Sequence, residues 1–178
     1  MDIDRALRDR VMSERAPFSD AIGDRGTRIL RVTAGALAVF VAWLHLLHPE
    51  YGWETLFLYL ELGTIYDPRP PLFVASGGAI LVAVGLVIYG APRRPIYAAG
   101  VLLVLTYLLG YAAWHTVLDH GAFWPHIEPH HHHDMGLLET LVEHLRADTI
   151  ALASTIAEVL LLVLLATLLL VDGEGSES

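Results

Sequence analysis

The stretch TIALASTIAEVLLLVLLATLLLV, residues 149–171, decides the fold because it is apolar almost throughout and carries one charged side chain, Glu158. As an α-helix, a segment of this length crosses the hydrocarbon core of a bilayer, which is about 30 Å thick. A strand or loop there would leave backbone amides unpaired in lipid. Three more apolar stretches of similar length precede it, at residues 29–48, 71–89 and 96–118. The sequence therefore predicts an all-α fold, a bundle of four transmembrane helices.

The composition agrees with a membrane protein. Hydrophobic residues make up 54% of the 178 residues and charged residues 17%, whereas soluble domains carry about 25% charged residues. The chain has no cysteine, which excludes disulfides, thiolate metal sites and a cysteine nucleophile. Its net charge of −9 argues against a nucleic-acid partner. The expected partners are the lipid bilayer, further copies of the chain and other membrane subunits.

The arginines set the expected orientation, because the chain has no lysine and its basic residues lie mostly before the first apolar stretch or between the second and third. The positive-inside rule then places both termini in the cytoplasm of a protein of the plasma membrane. On this basis residues 1–28 form a cytoplasmic segment, residues 29–171 the transmembrane domain and residues 172–178 a cytoplasmic tail. Residues 119–148 form a histidine-rich loop on the outer side.

Two shorter segments with apolar side chains, residues 52–62 and 136–145, are too short to cross a bilayer. Apolar residues recur in them at helical spacing beside polar ones. The first segment is predicted to form a short helix in the outer membrane interface, and the second either a similar helix or an aqueous extension of the fourth apolar stretch.

Four motifs carry a resemblance to a known group of proteins: Trp43-Leu44-His45, Pro71-Leu72-Phe73, residues 93–100 (RRPIYAAG) and Glu158. With them the chain resembles small, uncharacterised four-helix integral membrane proteins of halophilic archaea. The resemblance implies a fold and a salt-rich host, and it implies no mechanism. An excess of acidic residues with arginine in place of lysine fits such a host, because concentrated salt screens the repulsion between like charges.

The histidines are the main candidates for binding chemistry, because all 10 are expected at or beyond the outer face. Imidazole nitrogens suit Zn²⁺ and Cu²⁺, and carboxylates can complete such a site. A flexible loop chelates loosely because ordering it costs entropy, so ligands held by helices would give a firmer site. The candidate ligands are His45, His115, His120, His126, His130, His131, His132, His133, Asp134 and His144.

Other interpretations of these histidines remain open at this stage. The histidine run can be a solvated polar loop that chelates metals without specificity, and His45 can be an interface anchor. A haem between His45 and His115 would suit the geometry of a four-helix bundle but has only two histidines in its favour.

Glu158 is the second candidate, because we expect it to be the only ionisable residue near mid-membrane depth. Polar residues at helical spacing on the third and fourth spans predict a path from the outer histidines to this carboxyl group. Alternatively, Glu158 is a protonated carboxyl that bonds to Tyr107, Ser154 or Thr106 and only joins helices. The predicted path consists of Tyr107, Tyr111, Asp119, Asp148, Thr155 and Glu158.

These features favour a membrane protein that binds or senses zinc or copper, with Glu158 coupled to protons. The alternative is a non-catalytic structural or accessory subunit of a larger membrane complex, and a proton- or solute-conducting bundle is a third hypothesis. Phosphate-binding loops, nucleophile elbows and helical zinc-protease motifs are absent from the sequence, so no catalytic residue is predicted.

Overall fold

The computed structural model describes residues 3–128 and 136–174, with side chains over residues 23–128 and 136–172. These residues are helical wherever they are regular, and they include no strand. The described α-helices are α1 (Ile3–Leu46), α2 (Trp53–Leu62), α3 (Arg69–Ile88), α4 (Arg93–His115), α5 (Leu137–Ala147) and α6 (Thr149–Glu174), and a short 3-10 helix covers Asp119–Gly121.

Four of these helices are long and apolar enough to cross a membrane, which confirms that part of the prediction. The four segments are Gly23–Leu46, Arg69–Ile88, Arg93–His115 and Thr149–Asp172, with mean hydropathies of 1.8, 2.3, 1.9 and 2.5. Prolines lie in the first turns of α3 and α4, where the missing N–H has no helical partner to lose.

The ends of two helices differ from the predicted boundaries. Helix α4 ends at His115 and not at residue 118, because Thr116 leaves the helical region with φ −127° and ψ −81°. Helix α1 is broken at Gly23, whose φ of 60° and ψ of 169° are not helical. Glycine adopts such a positive φ without steric cost, so the membrane-length part of α1 begins there.

Helix α6 packs against α1 and α4, and α1 also packs against α3. Small side chains let α1 approach its neighbours closely, since Ala34 and Ala42 are both buried. Gly77 of α3 serves the same purpose, because a Cβ atom there would lie 2.8 Å from the Cγ of Leu46. The buried hydrophobic core consists of Ala34, Val41, Ala42, Ile80, Tyr97, Val104, Ala157, Leu161, Leu165 and Leu168.

Two polar pairs join α1 to α6. Arg31 Nη2 lies 2.6 Å from Asp172 Oδ1, and His45 Nε2 lies 3.1 Å from Glu158 Oε1. Arg31 and His45 are as many residues apart on α1 as Glu158 and Asp172 are on α6. This separation corresponds to about 21 Å along a helix axis. The pairs therefore fix an antiparallel register between α1 and α6.

The short helices α2 and α5 lie where the sequence predicts helices. Helix α2 ends at Gly63, whose left-handed φ of 67° directs its N–H to the Leu60 carbonyl. Helix α5 buries Thr140 on one side and exposes Leu138 and Val142 on another. Both helices thus keep an exposed apolar surface.

Candidate metal centre

Three histidines from three separate elements meet at one end of the long helices. His115 is the last residue of α4, His120 lies in the 3-10 helix and His144 lies in the last turn of α5. Each offers a ring nitrogen within 4.8 Å of the other two, and all three side chains are half-buried. We refer to His115, His120 and His144 as the histidine triad.

A tight turn after α4 brings His120 back towards His115. Asp119 and His120 have positive φ angles of 44° and 54°, which residues other than glycine rarely adopt. Gly121 follows with a φ of 89°, and its Cα faces the Trp114 ring so closely that no side chain would fit. Strained residues of this kind are common at functional sites.

The orientation of the His144 ring is set within its own helix. Its Nδ1 lies 2.8 Å from the Thr140 carbonyl oxygen. Because a carbonyl oxygen only accepts hydrogen bonds, Nδ1 carries the proton and Nε2 keeps its lone pair. That Nε2 lies 3.0 Å from Nε2 of His120, which then donates the hydrogen bond. An N–H held by a backbone carbonyl is the usual arrangement of a histidine that binds metal through its other nitrogen.

The distances within the triad fit a small transition-metal ion. Two nitrogens bound to one tetrahedral Zn²⁺ lie about 3.3 Å apart, since each Zn–N bond is about 2.0–2.1 Å long. The His120–His144 separation of 3.0 Å is already near this value. The ligand nitrogen of His115 lies within 4.8 Å of the other two, so this ring would have to approach them further for all three to bind one ion. Imidazole ligands suit Zn²⁺ and Cu²⁺.

Two of the other predicted ligands, His45 and His126, lie away from the triad. His126 is exposed and contacts the Tyr66 ring at 5.2 Å, and His45 pairs with Glu158. His130, His131, His132, His133 and Asp134 lie outside the described residues.

His45 and Glu158 form a second cluster of ionisable side chains, and both are almost fully buried, at 1% and 5% exposure. Ser154 Oγ donates a hydrogen bond of 2.8 Å to the same carboxylate oxygen, Oε1, that His45 contacts. The Phe73 and Tyr107 rings lie 4.8 Å and 4.5 Å from the imidazole. We refer to His45 and Glu158 as the buried pair.

The buried pair corrects two expectations. Side chains in contact lie at the same depth along the bundle, so Glu158 is not the only ionisable residue at its depth. For the same reason, if Glu158 lies at mid-membrane depth, His45 lies there too and not at the membrane face. Of the three expected partners of Glu158, Ser154 is a partner in the structure. The sequence contains one indication of the contact between His45 and Glu158. His45 and Arg31 are separated by the same number of residues as Glu158 and Asp172.

Two members of the predicted polar path, Tyr107 and Tyr111, contact histidine rings along α4. The Tyr111 ring lies 4.4 Å from the His115 ring, one turn above Tyr107 and its contact with His45. The Tyr107 hydroxyl donates a hydrogen bond to the Leu72 carbonyl at 3.3 Å.

The remaining members of the predicted path lie around these residues. Asp119 lies beyond the end of α4, in the 3-10 helix, and so does not continue its polar face. Asp148 caps α6 by accepting hydrogen bonds from the N–H groups of Ile150 and Ala151. Thr155 is half-buried on α6.

Arg69 stabilises the chain beside the triad. Its guanidinium lies over the Tyr51 ring at 4.0 Å and over the Trp114 ring at 4.6 Å, and it forms a salt bridge with Asp67. Burial raises the pKa of the Tyr51 phenol, so this ring stays neutral under the cation. Arg69 therefore joins the start of α3 to the residue that precedes His115.

Helix α4 thus connects the triad to the buried pair, since it carries His115 at its end and Tyr107 beside His45. Comparison with protein-family models, with curated proteins and with solved structures found no match for this sequence.

Proposed function

We propose that this is a multi-pass membrane protein that binds Zn²⁺ or Cu²⁺ through His115, His120 and His144. The observation that carries the proposal is the convergence of three imidazoles from three elements, with ligand nitrogens within 4.8 Å of one another. The hydrogen bond from His144 Nδ1 to the Thr140 carbonyl supports it, because it directs the Nε2 lone pair towards His120.

The membrane part of the proposal is a four-helix transmembrane bundle with α2 and α5 in the interface. Its support is the distribution of apolar side chains, since the long helices expose leucine and valine along their length. Leu102 and Leu109 of α4 are 67% and 68% exposed, and Val163 of α6 is 58% exposed. In lipid these side chains lie in hydrocarbon, whereas in water they would form a large apolar surface.

The proposed orientation has its support in helix α4, which begins at Arg93 and Arg94 and ends at His115. The two arginines and the triad therefore lie at opposite ends of one membrane-length helix. Under the positive-inside rule the arginines face the cytoplasm of a protein in the plasma membrane. The triad then faces outwards, where it meets external metal ions.

A bound ion would also give the protein a way to sense metal. It would tie the end of α4 and the turn at His120 to the last turn of α5. Because α5 leads directly into α6, a metal-dependent position of α5 would be transmitted to a membrane-length helix.

The test is a zinc titration of the protein in detergent, with His130 to His133 replaced by glutamine in every sample to remove loose chelation. Replacing His115, His120 or His144 by alanine should each weaken zinc binding at least about tenfold. H126A is the matched control, because His126 is an exposed histidine outside the triad.

Equal losses in H126A and in the triad variants would contradict the proposed site, and so would undiminished binding in the triad variants. A protein that binds no zinc and co-purifies with other membrane chains would favour the accessory-subunit alternative.

A further inference from the structure

We propose that His45 and Glu158 form a proton-binding site between the membrane-length helices, in which the imidazole of His45 holds the proton beside the Glu158 carboxylate. The site is separate from the triad, because it is made by α1 and α6 and contacts α3 and α4 through Phe73 and Tyr107.

Hydrogen bonding identifies the atom that takes the proton. His45 Nε2 faces the carboxylate at 3.1 Å, so a proton on Nε2 is donated to Glu158. His45 Nδ1 is buried and has no hydrogen-bond partner among the described residues. A second proton can therefore bind at Nδ1 without breaking the contact between His45 and Glu158.

The net charge of the buried pair decides whether the His45 imidazole carries one proton or two. With one proton on the imidazole and an ionised carboxyl group, the buried pair carries a net charge of −1. A proton at Nδ1 converts the ring to imidazolium and brings the net charge of the pair to zero. Since an uncompensated charge inside a membrane or a protein core is costly, a pair that holds this second proton is favoured. An imidazole is a stronger base than a carboxylate, and Glu158 Oε1 already accepts the hydrogen bond of the Ser154 hydroxyl, so we place the proton on His45 and not on the carboxyl group.

The neighbouring groups favour the same state. From α6 the imidazole meets Glu158 and the hydroxyl of Ser154, 3.4 Å from Nε2. From α4 it meets the Tyr107 ring and from α3 the Phe73 ring. Aromatic faces attract an imidazolium more strongly than a neutral ring. Glu158 and Tyr107 are thus the titratable groups that face His45 from the helices packed against it, and neither is positively charged. His48, just beyond the end of α1, also interacts electrostatically with His45, and burial lowers the pKa of His48, so it carries no competing positive charge at neutral pH.

The consequence is a proton held inside the membrane-length helices, one to two helical turns from the Tyr111–His115 contact along α4. Internal ionisable pairs of this kind occur in proton-coupled membrane proteins. This inference does not depend on metal binding by the triad.

The experiment is nitrogen NMR of the metal-free protein labelled with ¹⁵N-histidine, which distinguishes imidazolium from the two neutral tautomers. At neutral pH the spectrum should contain an imidazolium signal that is lost in H45Q. In E158Q the same signal should move to the position of a neutral imidazole, because the compensating negative charge is gone. H126Q should leave it unchanged.

A His45 signal that is neutral in the wild type would overturn the proposal, and so would an imidazolium signal that survives in E158Q. If H45Q fails to fold, the comparison of wild type with E158Q decides alone, because glutamine keeps the shape of glutamate and one oxygen that can accept the hydrogen bonds of His45 and Ser154. Zinc titration of E158Q separates the two proposals, since this variant should bind zinc as the wild type does.

Discussion

Glu158 is a single residue that binds one buried and one half-buried side chain. In E158L, the buried His45 Nε2 and the half-buried Ser154 hydroxyl lose their common acceptor. We expect the free energy of unfolding to fall by about 1–3 kcal/mol, the usual cost of an unsatisfied buried polar group. E158Q should cost less, because the amide still accepts and donates. Denaturation in detergent measures both.

The matched control for this prediction is E143L, because Glu143 is an exposed residue of α5 and such substitutions usually change stability by less than about 0.5 kcal/mol. Replacing His45 by phenylalanine in the E158L background should recover part of the loss, since the orphaned imidazole is then removed. Wild-type stability in E158L would show that the buried pair contributes nothing to the fold.

We expect His48, which lies outside the membrane-length helices, to make the stability of the folded protein depend on pH. Its Nδ1 accepts hydrogen bonds from the N–H groups of Glu50 and Tyr51, and these require an unprotonated nitrogen. Burial lowers the pKa of His48, although the carboxylates of Asp148 and Glu50 act in the opposite direction. Below about pH 6.5 the unfolded chain therefore binds a proton more readily than the folded one, and stability falls.

H48N isolates this contribution, because an asparagine carbonyl can accept similar hydrogen bonds and does not titrate. The wild type should lose more thermal stability than H48N as the pH falls from neutral to acidic values. Parallel curves for the two proteins would assign the acid sensitivity to other groups.

At the scale of single elements, the turn after α4 controls the triad. Gly121 combines a φ of 89° with close contact to the Trp114 ring, so G121A would displace the turn that carries His120. Zinc affinity should fall by about tenfold or more, as it does when support of a metal ligand is lost. G136A is the control, because Gly136 lies before α5 with an ordinary φ of −70° and open space around it. Equal zinc affinity in G121A and the wild type would refute this role for the turn.

The elements differ in how far their sequences determine them. Hydropathy and length are enough to predict the four long helices, because a membrane-length apolar run has few alternatives. The end of α4 could not be predicted, since residues 116–118 are as compatible with a helix as those before them. The helix ends there because Thr116, Asp119 and His120 adopt backbone angles that depend on contacts from distant parts of the chain.

At the scale of the whole molecule, the orientation is open to a direct labelling test, because the chain has no cysteine of its own. Cysteines introduced at Glu128 and Tyr89 should react with an impermeant thiol reagent from opposite sides of the membrane, Glu128 from outside. Both positions are exposed, Tyr89 by 92%. Labelling of both from the same side of intact cells would contradict the proposed topology.

The two polar clusters show what a single sequence conceals. Histidine content predicts metal binding at one end of the molecule, yet it does not separate the triad from His126. The separation depends on how α5 packs against α4, which is a contact between distant segments. Likewise, Glu158 was expected to bond to Ser154, one turn away on the same helix, whereas His45 required the register between α1 and α6.

The two pairs between α1 and α6 have a consequence for the order in which the protein is made. Arg31 and His45 leave the ribosome early, whereas Asp172 and Glu158 are synthesised only with the last of the four long helices. During translation, α1 is therefore complete while His45 still has no carboxylate beside it. Insertion of α6 completes both pairs at once. A nascent chain stalled before residue 149 would lack both carboxylates, so Arg31 and His45 would have no partner from α6.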